Sequence, residues 1–215
     1  MHRLFKRNNI NVLPEFNETI KAKKKFKLYL TWYFHIDIAE VRTEEGKLYL
    51  FVAIDRTSKF VYVELLEKSG KVRAADFLRN LIKAVPYRIH TILTDNGIGF
   101  TNREVDRQAG AHIFDRVCHE TEIEHRLTKV SHPWTNGQVE RRNRTIKDAT
   151  VKRYYYDTHQ QLKEYLYNFI NAYNFAKRLK TLKGLTPYEF VIKSFQLEPE
   201  RFIIDPYLHI LGLNT

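Results

Sequence analysis

Apolar and polar positions alternate from Tyr33 to Ala39: Phe34, Ile36 and Ile38 fall on one side, Tyr33, His35, Asp37 and Ala39 on the other. A period of two predicts a strand, with Asp37 on the face opposite the isoleucines. Glu44-Glu45-Gly46 reads as a turn, Lys47 to Ile54 as a second strand, Asp55-Arg56-Thr57-Ser58 as another turn and Phe60 to Leu66 as a third strand. Turns this short imply an antiparallel meander. Val72, Ala75, Leu78, Leu81, Ile82 and Val85 then recur at helical spacing until Pro86. Ile89 to Leu93 predicts a fourth strand running into Thr94-Asp95-Asn96-Gly97. Val105, Ala109, Ile113 and Val117 predict a second helix, and Glu122 to Leu127 a fifth strand. Residues 128–137 form a loop with His132-Pro133 and Asn136-Gly137. A third helix is expected from Val139 to about Arg153, and a fourth from Thr158 to about Phe175. Thr158 with Gln161, and Thr186 with Glu189, are spaced as capping boxes, the second with Pro187 at the first helical position.

Three strands, then helices alternating with strands, is an α/β order with a mixed sheet. The passage 60–94 should cross over right-handed and set strand 4 parallel to strand 3 or beside strand 1. Residues 1–27 are polar and without period, which predicts a basic linker or the remnant of something longer. The core is expected over 28–192 and a tail over 193–215.

Charge and composition narrow the function. The chain of 215 residues carries a formal charge of +11. Residues 1–36 hold a net +6 and residues 141–195 a net +8, flanking a near-neutral centre. Two cationic segments favour a polyanionic partner. One cysteine, Cys118, excludes a disulfide scaffold and any multi-cysteine zinc or iron–sulfur site. No apolar run is long enough to span a membrane, and the N-terminus lacks a signal-peptide core, so a cytoplasmic location is expected.

Three carboxylates stand out. Asp37 lies mid-strand among apolar residues, Asp95 ends the fourth strand, and Glu140 opens the third helix. Taken singly, they are a paired strand acid, a turn former and a helix-start acid. Together they could meet at one sheet edge as hard oxygen ligands for Mg²⁺. Two such ions would clamp the attacking and leaving oxygens of a phosphoryl displacement.

The ordered segments His35-Ile36-Asp37, Val52-Ala53-Ile54-Asp55, Thr94-Asp95-Asn96-Gly97, Asn136-Gly137-Gln138-Val139-Glu140-Arg141 with Asn143-Arg144-Thr145, and Leu185-Thr186-Pro187 resemble insertion-sequence transposases of the DDE type, whose catalytic core is similar to that of retroviral integrases. The resemblance implies a ribonuclease H-like fold, here a mixed five-stranded sheet flanked by helices with a helical C-terminal extension. It implies that Asp37, Asp95 and Glu140 form the catalytic, metal-binding triad. It implies Mg²⁺ or Mn²⁺ as cofactor, as two ions, and DNA as partner, in the form of transposon ends and target. A homo-oligomer and a bacterial, nucleoid-associated location follow from it. Glu140, Asn143, Arg144 and Lys147 share one helix face, which with Arg141 and His132 would meet DNA.

Three features depart from the family's pattern. Gly99 stands where an amide is usual, Arg142 stands where methionine is usual, and residues 1–30 are too short to hold the helix-turn-helix region expected before the core. The alternative to a working strand transferase is a truncated, non-catalytic remnant that still binds DNA. A ribonuclease H-type hydrolase would share the metal site, but the Asn-Gly-Gln-Val-Glu-Arg segment argues for recombination.

Overall fold

The first alternating segment forms strand β1, Tyr33–Thr43, continuing beyond Ala39. The computed structural model describes residues 32–102, 110–128 and 156–208. A tight turn at Glu44-Glu45 leads into β2, Gly46–Asp55. Gly46 sits at φ 132°, a conformation that side-chain-bearing residues rarely take. The turn after Asp55 leads into β3, Val61–Leu66. Helix α1, Lys71–Ala84, buries Ala74, Ala75, Phe77, Leu78 and Leu81. It ends at Val85, which is extended as the residue before a proline must be. Strand β4, Thr91–Thr94, helix α2, Ile113–Glu120, and strand β5, Glu124–Leu127, follow.

The sheet order is β3-β2-β1-β4-β5. The first three strands are the expected antiparallel meander, and β4 lies parallel between β1 and β5. The fourth strand lies beside the first, and because β3 also runs in the direction of β1, it is parallel to the third as well.

Each face of the sheet has its own core. On one face Phe34, Ile36, Phe51, Ala53 and Ile92 pack against Phe77, Leu78 and Leu81 of α1 and Phe114 and Val117 of α2. Truncating a ring as buried as Phe51 costs about 3–5 kcal/mol. On the other face Leu50, Val52, Ile54 and Val61 meet Leu162, Leu166 and Ile170 of helix α3, His159–Asn171. Both expected capping boxes are present: Thr158 accepts from Gln161 N, and Thr186 from Glu189 N at the start of α4, Pro187–Leu197. Each such cap stabilises its helix by about 1 kcal/mol.

Two expectations about helices change. The periodicity from Val105 to Val117 predicts one helix; residues 103–109 lie outside the described residues, but Gly110 is at φ 92° and His112 is extended, so no helix is continuous through Gly110 and His112. Helix α2 starts at Ile113 instead, with His112 Nδ1 accepting from Phe114 N at 3.1 Å. The fourth predicted helix is α-helical only to Asn171. Ala172–Ala176 continue it as a π-turn. The wider turn places the buried Asn174 amide against the edge strand, where it accepts from Val61 N at 3.0 Å and donates to Val61 O at 2.7 Å. The third predicted helix, Val139 to Arg153, lies outside the described residues.

Helix α4 passes the point where a tail was expected. Beyond it Phe202 bridges Tyr87 and stands edge-on to Trp32, ring centroids 5.4 Å apart. Tyr188 donates its hydroxyl to Pro206 O at 2.8 Å.

Candidate active site

Asp37 and Asp95 come from neighbouring parallel strands. The β1–β4 register pairs Tyr33 with Thr91, Phe34 with Ile92 and His35 with Leu93. The pairing ends there and β4 ends at Thr94, so Asp37 and Asp95 each lie two residues beyond the last rung. Asp37 also pairs with Val52, which belongs to the core under α3, so it lies on the α3 side of the sheet. The alternation that put Asp37 opposite the isoleucines therefore holds. Two of the three sequence-selected carboxylates thus lie on β1 and just after the neighbouring β4, each two residues past the same rung of the ladder. Glu140 lies outside the described residues, as do Arg141, Asn143, Arg144, Lys147 and His132, and Arg142. Among the described residues, no group of three or more metal-ligating side chains occurs.

Both aspartates are oriented by the backbone. Ile38 N donates to Asp37 Oδ1 at 2.9 Å, and Gly97 N donates to Asp95 Oδ1 at 2.9 Å. The second bond closes a turn that needs its glycine: a Cβ at residue 97 would stand 2.9 Å from Asp95 Oδ1. The turn is tied to the next strand, since Asn96 Nδ2 donates to Thr128 O at 3.0 Å and Thr128 N to Thr94 O at 2.9 Å. Gly99 packs tightly too. A Cβ there would lie 3.3 Å from Ile38 Cδ1, so the amide usual at this position would have to displace that isoleucine.

His35, two residues before Asp37, is buried, and its Nδ1 has no hydrogen-bond partner. Burial pulls its imidazole down to about 4, against the pull of Asp37 and with the push of Arg56. It is therefore uncharged near neutrality and adds no positive charge beside the carboxylates.

Sequence reasoning missed a buried polar chain behind Asp95. Thr94 Oγ1 lies 3.0 Å from Asp95 O and 2.8 Å from His125 Nε2, and His125 Nδ1 lies 2.5 Å from Asp115 Oδ1. These groups come from β4, β5 and α2, so no local spacing announces them.

A paired-carboxylate site of this kind supplies hard oxygen donors, the set that Mg²⁺ or Mn²⁺ prefers. The second cationic segment is visible in part: Lys177, Arg178, Lys180 and Lys183 follow the π-turn and are exposed. Among the described residues no helix is long and apolar enough to cross a membrane.

Comparison with known proteins covers most of this framework. Residues 31–133 match a family described as Integrase core domain, and residues 121–187 match a second family of the same description. Uncharacterized protein K02A2.6 of Caenorhabditis elegans is 31% identical over 160 residues, which are 72% of this chain and 11% of that protein. The chain thus spans about a ninth of the length of that relative. Among solved structures, the catalytic core domain of BIV integrase superposes with a TM-score of 0.60 at 21% identity, over 79% of this chain and 99% of that one. The HTLV-2 integrase catalytic core domain, in a dimeric complex with magnesium, gives 0.57 at 22% identity, over 75% and 96%. These likenesses show the fold, and the expected ribonuclease H-like mixed sheet is the one observed.

Proposed function

The chain belongs to the integrase core domain family, and from that premise we propose that it is the catalytic core of a metal-dependent DNA strand transferase. The observation that supports the reading is the β1–β4 ladder, whose last rung, His35 with Leu93, lies two residues before both Asp37 and Asp95. Glu140 completes the metal-binding triad.

The roles of the residues follow from their chemistry. Asp37 and Asp95 offer carboxylate oxygens already turned by Ile38 N and Gly97 N. Pre-set donors of this kind lose little freedom when a cation arrives. When bound, divalent metal activates the attacking oxygen and stabilises the leaving one in an in-line phosphoryl displacement. The cationic segments hold the DNA backbone, with Arg141, Asn143, Arg144, Lys147 and His132 as the contacts nearest Glu140. Water as attacker frees a 3′-hydroxyl; that hydroxyl as attacker joins the end to target DNA. The partners are therefore transposon ends and target DNA, met by a homo-oligomer in the cytoplasm, and the chemistry is that of insertion-sequence transposition. The HTLV-2 core was solved with magnesium, which supports Mg²⁺ or Mn²⁺ here.

The test is cleavage and joining of a labelled DNA duplex, with pre-nicked ends as a second substrate. The expected result is product with Mg²⁺ or Mn²⁺, none with Ca²⁺ alone, and none from Glu140→Gln. No product from either substrate with any metal would overturn the reading. Retained salt-dependent DNA binding in that case would select the non-catalytic remnant.

A further inference from the structure

Thr94 is the last residue of β4 and is fully buried. Its hydroxyl does not contact the Asp95 carboxylate; it lies 3.0 Å from the Asp95 carbonyl oxygen. The same hydroxyl lies 2.8 Å from Nε2 of His125, whose side chain is 7% exposed. His125 pairs with Ile92 across β4–β5, so it projects toward α1 and α2, on the face away from Asp37. There Asp115 of α2 faces its Nδ1 at 2.5 Å, and the Phe114 ring lies 4.8 Å away. The chain Asp115–His125–Thr94 thus runs through the sheet from the α2 side and ends on the peptide of a candidate metal ligand.

Hydrogen counting gives this chain a direction. A threonine hydroxyl carries one hydrogen. If that hydrogen goes to Asp95 O, then Thr94 Oγ1 must accept from His125 Nε2–H. Nδ1 faces the Asp115 carboxylate at 2.5 Å. Asp115, His125 and Thr94 are thus linked in series to Asp95 O by three close polar contacts.

We propose that Asp115, His125 and Thr94 are positioning residues that fix the Asp95 peptide and so set the affinity of the site for its divalent cation. The proposal rests on the metal-site reading above. A chain that only tied α2 to β5 would have no reason to end on residue 95. Partners behind a ligand typically change metal affinity by about 10–100-fold when removed.

The experiment measures Mn²⁺ binding to the full chain without DNA, by the loss of the free-ion electron paramagnetic resonance signal, with melting temperature recorded alongside. The variants are Thr94→Val, Thr94→Ser and Asp115→Asn, with Asp95→Asn as reference. Thr94→Val is expected to weaken Mn²⁺ binding at least about tenfold. Thr94→Ser, which keeps the hydroxyl, should restore it to near the parent value. Asp115→Asn, at a half-exposed position, should weaken it less while leaving the fold intact. Parent-like Mn²⁺ affinity in folded Thr94→Val overturns the proposal; if that variant does not fold, parent-like affinity in Asp115→Asn overturns it. A parent protein whose Mn²⁺ binding is absent, or unchanged by Asp95→Asn, overturns the metal-site reading itself and the proposal with it.

Discussion

Two strands of this sheet end in the same way and serve opposite ends. Asp55 closes β2 and Asp95 follows β4. Each accepts a hydrogen bond from the backbone N–H two residues on, at 2.9 Å in both cases. Beyond that the two turns diverge. Asp55 is wholly buried, and its other oxygen accepts from Ser58 N at 3.0 Å and Ser58 Oγ at 2.5 Å. Burial pushes its carboxyl above the ordinary range, against the pull of those donors. Asp95 is exposed and, among the described residues, its carboxylate takes the one hydrogen bond from Gly97. The first aspartate has its oxygens committed to the chain that holds it, whereas the second faces outward. An Asx turn is therefore no guide to role; what surrounds its remaining oxygen decides.

The sharpest way to break this contrast is to neutralise the exposed partner. Asp95→Asn should cut DNA cleavage by more than about a thousandfold, roughly 4 kcal/mol of barrier, with a melting temperature within about a degree of the parent. Comparable activity would mean that Asp95 is a turn former like Asp55. Next in size is the reverse case. Asp55→Ala strands the Thr57 and Ser58 donors in a dry site and should cost about 3 kcal/mol or more of stability in urea unfolding. Cleavage per folded molecule should persist. Cys118 reports the loss: buried, with a thiol pushed up to about 12, it should react with a thiol reagent only as the fold opens.

A smaller effect sharpens the picture at the second turn. Gly97→Ala brings a methyl group against Asp95 Oδ1, so cleavage should fall about tenfold with little change in stability. The smallest effect is electrostatic. Asp55 has a raised value in the native state, so between the ordinary carboxylate value, about 3.9, and that raised value the native protein keeps a proton that the unfolded chain has lost. Stability contributed by this group must then fall as pH rises through the window, by at most about 1.4 kcal/mol per pH unit. Asp55→Asn should remove that slope in urea titrations at successive pH values, and Asp95→Asn should leave it unchanged.

Local patterns made much of this legible. The alternation around Asp37, the meander turns and both capping boxes depend on near neighbours, and the structure keeps them. The run from Val105 to Val117 misled because apolar spacing says nothing of Gly110, whose left-handed backbone ends any helix there. Asp37 and Asp95 could be linked only through the separate motifs that contain them, since β2, β3 and α1 lie between their strands. The Asp115–His125–Thr94 chain was out of reach for a stronger reason. Its members sit on three elements and carry no shared spacing, and His125 looks like any polar residue of an edge strand. His35 was given no role from sequence, and only the structure shows it buried beside Asp37.

The π-turn at Ala172–Ala176 has a consequence for solubility. Strand β3 is an outer strand of the sheet, and an outer strand shows the next molecule a ready row of unpaired donors and acceptors. Asn174 occupies the first rung of that row, because its amide presents to Val61 the same acceptor and donor that another strand would. A regular helix would place residue 174 at a different angle, so one widened turn lets a side chain imitate a sixth strand for the length of a single residue. The chain thereby blunts, at the start of β3, the edge along which two sheets from separate molecules would otherwise zip together.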